Sequence, residues 1–221
     1  MERVSEPEVM DDEAQARAYA EADFAKPHDR FVALLHARLP DLPAVGVALD
    51  LGCGPADVTL RVARALPGWQ IDGLDASPVM LRYGRAAVAR AGLTSRIFLR
   101  ESRLPHANAP HAPYDLVFSN SLLHHLPDPT TLWQSVRRWS APATAVFVMD
   151  LLRPSCRGEA ERLVYTYAAG EPEILQRDFL NSLLAAYLVD EVAAQLVAAG
   201  LPHLQIEQVS DRHLIVWGRL H

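Results

Sequence analysis

The sequence predicts an α/β protein built on a mostly parallel sheet, covered by helices on both faces and closed by an antiparallel hairpin. Three observations lead there. Short apolar segments alternate with helical ones from Val45 to Leu151. The stretch Val47–Leu60, VALDLGCGPADVTL, runs from an apolar strand through Gly-Cys-Gly into a helix. The chain then ends on two short strands around Ser210-Asp211-Arg212, as a hairpin would.

Taken in order, residues 1–12 are acidic and polar and read as a frayed end. Helices are expected over Glu13–Phe24 and His28–Arg38, the second stopped by Pro40 and Pro43. Val45–Leu51 reads as a buried strand, Asp57–Ala65 as a helix and Gln70–Asp75 as a strand. Pro78–Ala91 is a helix with Ser77 as its cap, Pro78 in its first turn and Gly92 at its end. Strands follow at Arg96–Arg100, Tyr114–Ser119 and Thr144–Leu151, with a helix over Thr130–Trp139 between the last two. Residues 155–187 read as mostly helical, and Val189–Ala199 as a helix closed by Gly200. Leu204–Val209 and His213–Arg219 form the hairpin. Strands that are apolar throughout, rather than alternating, belong to a sheet buried on both faces. Ligands of such sheets sit beyond the carboxyl ends of the strands.

The bulk properties exclude several classes. The chain has 221 residues, half of them hydrophobic, which is enough for a sizeable core. No apolar run reaches the ~18 residues of a membrane span. The polar N-terminus does not resemble a secretory signal, so a cytoplasmic location is expected. Cys53 and Cys156 are read as free thiols, and no Cys/His spacing indicates a metal. The net charge of −6 argues against nucleic acid as a partner, and no DNA substrate is expected. A run of arginines from Arg82 to Arg103 is read as a solvated helix face and strand edge, with a local phosphate site as the alternative.

Gly52 and Gly54 lie where a strand ends, so the backbone can turn sharply and a ligand can approach it closely. Asp75 ends the next strand, at the distance in sequence where a carboxylate accepts the hydroxyls of an adenosine ribose. The dinucleotide fingerprint has a third glycine where this chain has Asp57. A carboxylate there would repel a pyrophosphate, and together with Asp50 it would favour a cationic tail. Asp57 reads equally well as a helix-start residue.

LDLGCGPAD, GLDASPVML and YDLVFSNSLLHHLPDP, in that order over residues 45–151, resemble the class I S-adenosylmethionine-dependent methyltransferases. The resemblance implies a Rossmann-like seven-stranded, mostly parallel sheet with an antiparallel last strand, here carrying a helical cap insertion. It also implies S-adenosylmethionine as cofactor, with S-adenosylhomocysteine as product. The chain is divided accordingly as a single methyltransferase domain, 1–221. Residues 1–40 form an N-terminal helical lid, 44–151 the cofactor-binding core, 152–187 the cap, and 188–221 the closing helix and hairpin.

Carried over residue by residue, the resemblance places Asp50, Gly52, Cys53 and Gly54 at the methionine end of the cofactor, and Asp57 stays a cofactor candidate on its charge alone. Asp75 would hold the ribose, and Ala76, Ser77 and Met80 would flank the adenine. Glu101 and Ser102 stand where the family commonly has Gly-Asp-Ala, which leaves Glu101 open to being a solvated strand end. Ser119 and Asn120 fall beside the transferable methyl. Tyr19, in ARAYAEADFAKPHDRFV, matches a tyrosine of the family's lid. His124, His125 and His28 are the candidate catalytic bases. At most one of the adjacent pair is expected to face the site, because neighbours on a helix point apart.

Methyl transfer from a sulfonium is an in-line displacement whose demand is positioning. A base is needed only where the acceptor starts protonated. A small-molecule acceptor is expected between the lid and the cap, with Tyr165, Tyr167, Phe179, Tyr187, Arg153, Asp178 and Asn181 as candidate lining or core residues. The cap helices leave room for a homodimer. Three other readings stay open: a nucleotide-dependent oxidoreductase, a non-catalytic S-adenosylmethionine-binding protein, and methylation of a protein or RNA.

Overall fold

A computed structural model describes residues 1–6, 12–105 and 109–221. Seven strands form one sheet: β1 (Gly46–Leu51), β2 (Trp69–Asp75), β3 (Ile97–Glu101), β4 (Tyr114–Asn120), β5 (Ser140–Leu151), β6 (Gln205–Gln208) and β7 (His213–Arg219). Their spatial order is β3-β2-β1-β4-β5-β7-β6, and β7 alone runs against its neighbours. The strand order reverses between β1 and β4, the crevice where ligands of doubly wound sheets sit.

Alternate residues of the central strands feed two cores. Val117, Val146 and Val148 pack on one face with Trp133 and Leu196. Leu116, Phe118, Ala145 and Phe147 pack on the other with Phe31 and Ile71. Both faces are buried, so the strands read as continuous apolar runs, and each fully buried large side chain contributes roughly 1.5–3 kcal/mol. α3 (Asp57–Ala65), α4 (Pro78–Arg90), α5 (Thr130–Arg138) and α8 (Val189–Ala198) cover these faces together with α2 (Ala25–Arg38). α1 (Glu13–Glu21) packs against α4 and against α7 (Glu173–Ala185). α7 pairs with α6 (Arg157–Ala168) to form the cap, with its own small core of Leu151, Ala160, Leu163 and Leu183.

Most elements lie within a residue or two of expectation, and α3 and β7 coincide with it. Three differ more. α1 stops at Glu21, three residues early, with Ala22 in extended backbone. α2 starts at Ala25 rather than His28, because Pro27 is tolerated in a first turn where no amide partner is needed. β5 starts at Ser140, ahead of Pro142. There the ladder is irregular, and Thr144 Oγ1 takes over backbone pairing by donating to Tyr114 O at 2.7 Å and accepting Ala141 N at 2.9 Å.

The N-terminus is also corrected. Residues 7–11 lie outside the described residues, but residues 1–6 are docked rather than frayed. Val4 N donates to Leu184 O at 3.0 Å, and Arg3 donates to the carbonyls of Ala185 at 2.5 Å and His124 at 2.8 Å. The arginine run is the solvated helix face and strand edge expected, with Arg82 pairing with Glu13 at the surface; Arg96 turns inward, donating to the Ala63, Leu66 and Trp69 carbonyls. Among the described residues, no helix is long and apolar enough to cross a membrane.

Candidate active site

The carboxyl ends of β1, β2, β4 and β5 carry Asp50, Asp75, Asn120 and Asp150 to one edge of the sheet. The glycine loop starts there. Gly52 and Cys53 both donate to Leu74 O, at 2.8 and 3.0 Å, which folds the loop over β2. Gly52 (φ +74°) and Gly54 (φ +50°) are left-handed, and Ala56 is too (φ +67°). A methyl at Gly52 would strike Leu122, whereas one at Gly54 would enter open space. That open backbone is where a ligand can lie directly on the loop.

Asp75 links the loop to α4. Its Oδ2 accepts Gly54 N at 2.7 Å, and its Oδ1 accepts Ser77 N at 2.8 Å. Ser77 in turn caps α4 by accepting Met80 N, and Met80 is buried beside a half-buried Ala76. Ser102 N donates to Asp75 O at 2.8 Å, so the end of β3 joins the same edge, while Glu101 is exposed there. Cys53 is buried beneath the loop. Burial, then Asp75 and Asp50, push its thiol well above the ordinary range, so it is a packing residue rather than a nucleophile. Asp50 is buried too and accepts Thr59 Oγ1 at 2.6 Å; burial outweighs that bond and raises its carboxyl to about 7.

Asp57 heads α3 but is engaged. His28 Nδ1 lies 2.5 Å and Arg61 Nε 2.9 Å from its Oδ2. Burial pushes the carboxyl up, and the two partners outweigh it, holding Asp57 down at about 2. His28 is correspondingly anchored to the helix start. Phe24 and Tyr19 continue from it as an aromatic row, with centroids 5.5 and 4.7 Å apart. Burial, then the charges of Asp57, Asp75 and Asp150, raise the Tyr19 phenol to about 12, so it stays protonated. Ser119 is fully buried and donates to Leu51 O at 2.7 Å, which ties β4 to β1 instead of facing outward. Asn120 Nδ2 donates to Ser121 Oγ at 3.2 Å.

The two histidines do not diverge as expected. Leu123–His125 is a 3-10 turn rather than an α-helix, and its tight winding leaves the two rings 4.2 Å apart. His124 Nδ1 is 2.5 Å from Asp150 Oδ1, and Asp150 also accepts Leu123 N and Leu151 N. Burial lowers His124, but Asp150 and Glu6 outweigh it and hold the imidazole above its usual range. Glu6 Oε1 lies 3.2 Å from His125 Nδ1 and accepts Ser182 Oγ at 3.0 Å.

Several contributors were not picked out from sequence. Asp150 carried the same signal as Asp50 and Asp75, an acid ending an apolar strand. Gly84 carried none: a methyl there would press on Leu99 and on the Gly54 carbonyl, so its absence lets α4 reach the loop. Arg3 and Glu6 come from a polar end with no periodicity. In the cap, Tyr165 is solvated, and Tyr167 donates to Asp211 at 2.9 Å away from the site. Arg153 is committed to Ala186 O and Glu191, and Tyr187 to Leu126 O. Asp178 accepts Gln15 Nε2 at 2.7 Å, which joins α1 to α7.

The pattern of a family described as "Methyltransferase domain" matches residues 49–146. The chain carries a class I methyltransferase domain. The trans-aconitate 2-methyltransferase of Methylobacterium radiotolerans is 32% identical over 162 residues, 70% of this chain and 58% of that one. This chain spans about half the length of the curated relatives it matches. A methyltransferase from Aquifex aeolicus, 15% identical, shares the fold with a TM-score of 0.67 over 95% of this chain and 99% of its own. The plantazolicin methyltransferase, solved with a substrate analogue and S-adenosylhomocysteine, is 12% identical with a TM-score of 0.70 over 92% and 89%. In this methyltransferase domain the matched segment holds the glycine loop, Asp75 and the His124–His125 turn. Glu6, Tyr19, Asp150 and the cap lie outside it.

Proposed function

We propose that the protein transfers a methyl group from S-adenosylmethionine to a small-molecule acceptor held between the N-terminal lid and the α6–α7 cap. One observation carries the reading: a bare, left-handed glycine loop, open above Gly54, is tied through its amide to the Asp75 carboxylate at the end of the next strand. The surrounding groups fit this cofactor. The Tyr19 phenol lies within the field of Asp57, Asp75 and Asp150, and Asp50 is buried at the end of β1. Such a site favours an ammonium and a sulfonium over a pyrophosphate.

When bound, the cofactor supplies an activated methyl on a good leaving group. Asp75 and the Gly54 backbone would hold the ribose end, with Ala76, Ser77 and Met80 beside the adenine. Asp50, Cys53 and Tyr19 would line the methionine end. Asn120 and the His124–His125 turn stand at the methyl end. Transfer yields S-adenosylhomocysteine and the methylated acceptor. A hydroxyl or amine acceptor also releases a proton; both nitrogens of His124 face carboxylates, Asp150 and Glu6, so that histidine positions the turn rather than taking the proton. His28 is spent on Asp57 and is better placed to position the lid than to act as a base. The acceptor named by the relatives, trans-aconitate, belongs in the first screen beside neutral alcohols and amines. With two free thiols, we place the reaction in the cytoplasm.

Calorimetric titration with S-adenosylmethionine, S-adenosylhomocysteine and NADH tests the reading, beside Asp75→Ala. Micromolar binding of the two sulfur nucleosides, lost in the variant, is the expected result, with S-adenosylhomocysteine release on turnover. Preference for NADH, or no binding by the folded protein, would overturn it.

A further inference from the structure

We propose that Glu6, His124 and His125 form a binding site for a divalent, zinc-like cation that clasps the N-terminal segment to the edge of the sheet. The argument starts from the positions of three donor atoms. Glu6 Oε1 lies 3.5 Å from His124 Nε2 and 3.2 Å from His125 Nδ1, and all three donors fall within 4.8 Å of one another. A tetrahedral ion with bonds of about 2.0–2.1 Å has ligand–ligand edges of about 3.3–3.4 Å. The two edges at Glu6 are therefore already the right size. The 3.5 Å approach of His124 is too long for an ordinary N–H···O hydrogen bond, but it suits two ligands of one ion.

The surroundings orient these atoms. Asp150 receives amides from Leu123 and Leu151 and lies 2.5 Å from His124 Nδ1. A carboxylate in that position keeps the proton on Nδ1 and turns the Nε2 lone pair toward Glu6. This is the arrangement in which a metal-binding histidine is held by an outer carboxylate. Without a metal a proton on Nε2 faces Glu6 instead, and a bound cation would displace that proton. Glu6 is itself held in place: Ser182 donates to the same Oε1, and Arg3 and Val4 pin the preceding backbone.

The charge supports a dication. The carboxylates of Glu6, Asp150 and Asp178 bear on this cluster, against the guanidiniums of Arg3 and of Arg177, which pairs with Asp178. The side chains of His124 and Glu6 are only 2% and 9% exposed, so unbalanced negative charge there is costly. Two imidazoles and one carboxylate select zinc-like transition metals over magnesium or calcium. Three protein ligands leave a fourth position for water or a donor atom of a bound molecule.

The protein is stripped with a chelator, then titrated calorimetrically with Zn2+, and separately with Co2+ followed by visible absorption. One equivalent of Zn2+ should bind with micromolar or tighter affinity, and Co2+ should give the intense bands of tetrahedral coordination. Glu6→Gln and His125→Ala should each weaken Zn2+ binding at least tenfold, and Asp150→Asn by about 10–100-fold. Zn2+ should also slow amide exchange at Arg3 and Val4. Absence of binding by the folded wild-type chain, or binding unchanged in Glu6→Gln and His125→Ala, would overturn the proposal. None of these three readouts involves S-adenosylmethionine, so the outcome is independent of the methyltransferase reading.

Discussion

The Asp75 carboxylate accepts the Gly54 amide at 2.7 Å, and with the two amides that Leu74 O receives this bond holds the loop that follows β1 against the end of β2. Its other oxygen holds Ser77 N, so one side chain organises both the glycine loop and the start of α4. Asp75→Ala should weaken binding of S-adenosylmethionine at least 100-fold by calorimetry. Unfolding in urea should show a loss of about 1–3 kcal/mol from the two unsatisfied amides. Asp75→Asn, which keeps one acceptor oxygen, should fall between the two.

Two glycines separate binding from packing. Gly54→Ala places a methyl in open space at φ +50°. It should cost about 1–2 kcal/mol of stability while removing most cofactor affinity. Gly84→Ala brings a methyl to 2.9 Å from Leu99 Cδ1 and 3.3 Å from Gly54 O. It should lose about 1–3 kcal/mol of stability, with weaker binding as a consequence of α4 moving outward. Parallel urea melts and titrations separate the two effects. Equal affinity losses would refute the assignment of the open face to the ligand.

Asp50 should make cofactor binding release a proton. Burial raises its carboxyl from an ordinary 3.8 to about 7. The native chain therefore keeps a proton that the unfolded chain gives up between these values. That contribution to stability is present below pH 4 and is lost as pH rises through 7. A nearby sulfonium or ammonium favours the carboxylate and drives the proton off. Titrations near pH 6.5 in buffers of different ionisation enthalpy should show the release, and Asp50→Asn should abolish it.

His213 should limit stability in mild acid. Burial, then the charge of Arg212, lower its imidazole from 6.5 to about 3. The unfolded chain gains a proton below pH 6.5 that the native chain refuses. The stability this histidine allows is therefore complete above pH 6.5 and falls away as pH drops toward 3. Over the 2.5 units from pH 6.5 to 4 the loss is roughly 3 kcal/mol, at about 1.4 kcal/mol per unit. Urea midpoints measured across that range should drop in the wild type and much less in His213→Gln.

Much of the site was legible because its signals are local. Apolar runs located the strands, glycines marked the loop, and the cap pattern of Ser77-Pro78 started α4 where expected. Acids at strand ends pointed to one edge of the sheet, where Asp150 joins Asp50 and Asp75. The reading went astray at His124–His125, where a helical assumption separated two rings that a 3-10 turn stacks. It went astray again at the N-terminus, where composition alone described a frayed end.

The sequence by itself determined the layered α/β architecture, the glycine loop and the Asp75 strand end, since each depends on residues near one another in the chain. Only the tertiary structure decided that Asp57 is occupied by His28 and Arg61, that Gly84 must be small, and that Glu6 meets two histidines at the far end of β4. Those relationships join segments remote in sequence. They rest on a few directional polar contacts and close approaches, which leave no periodic trace in composition or pattern.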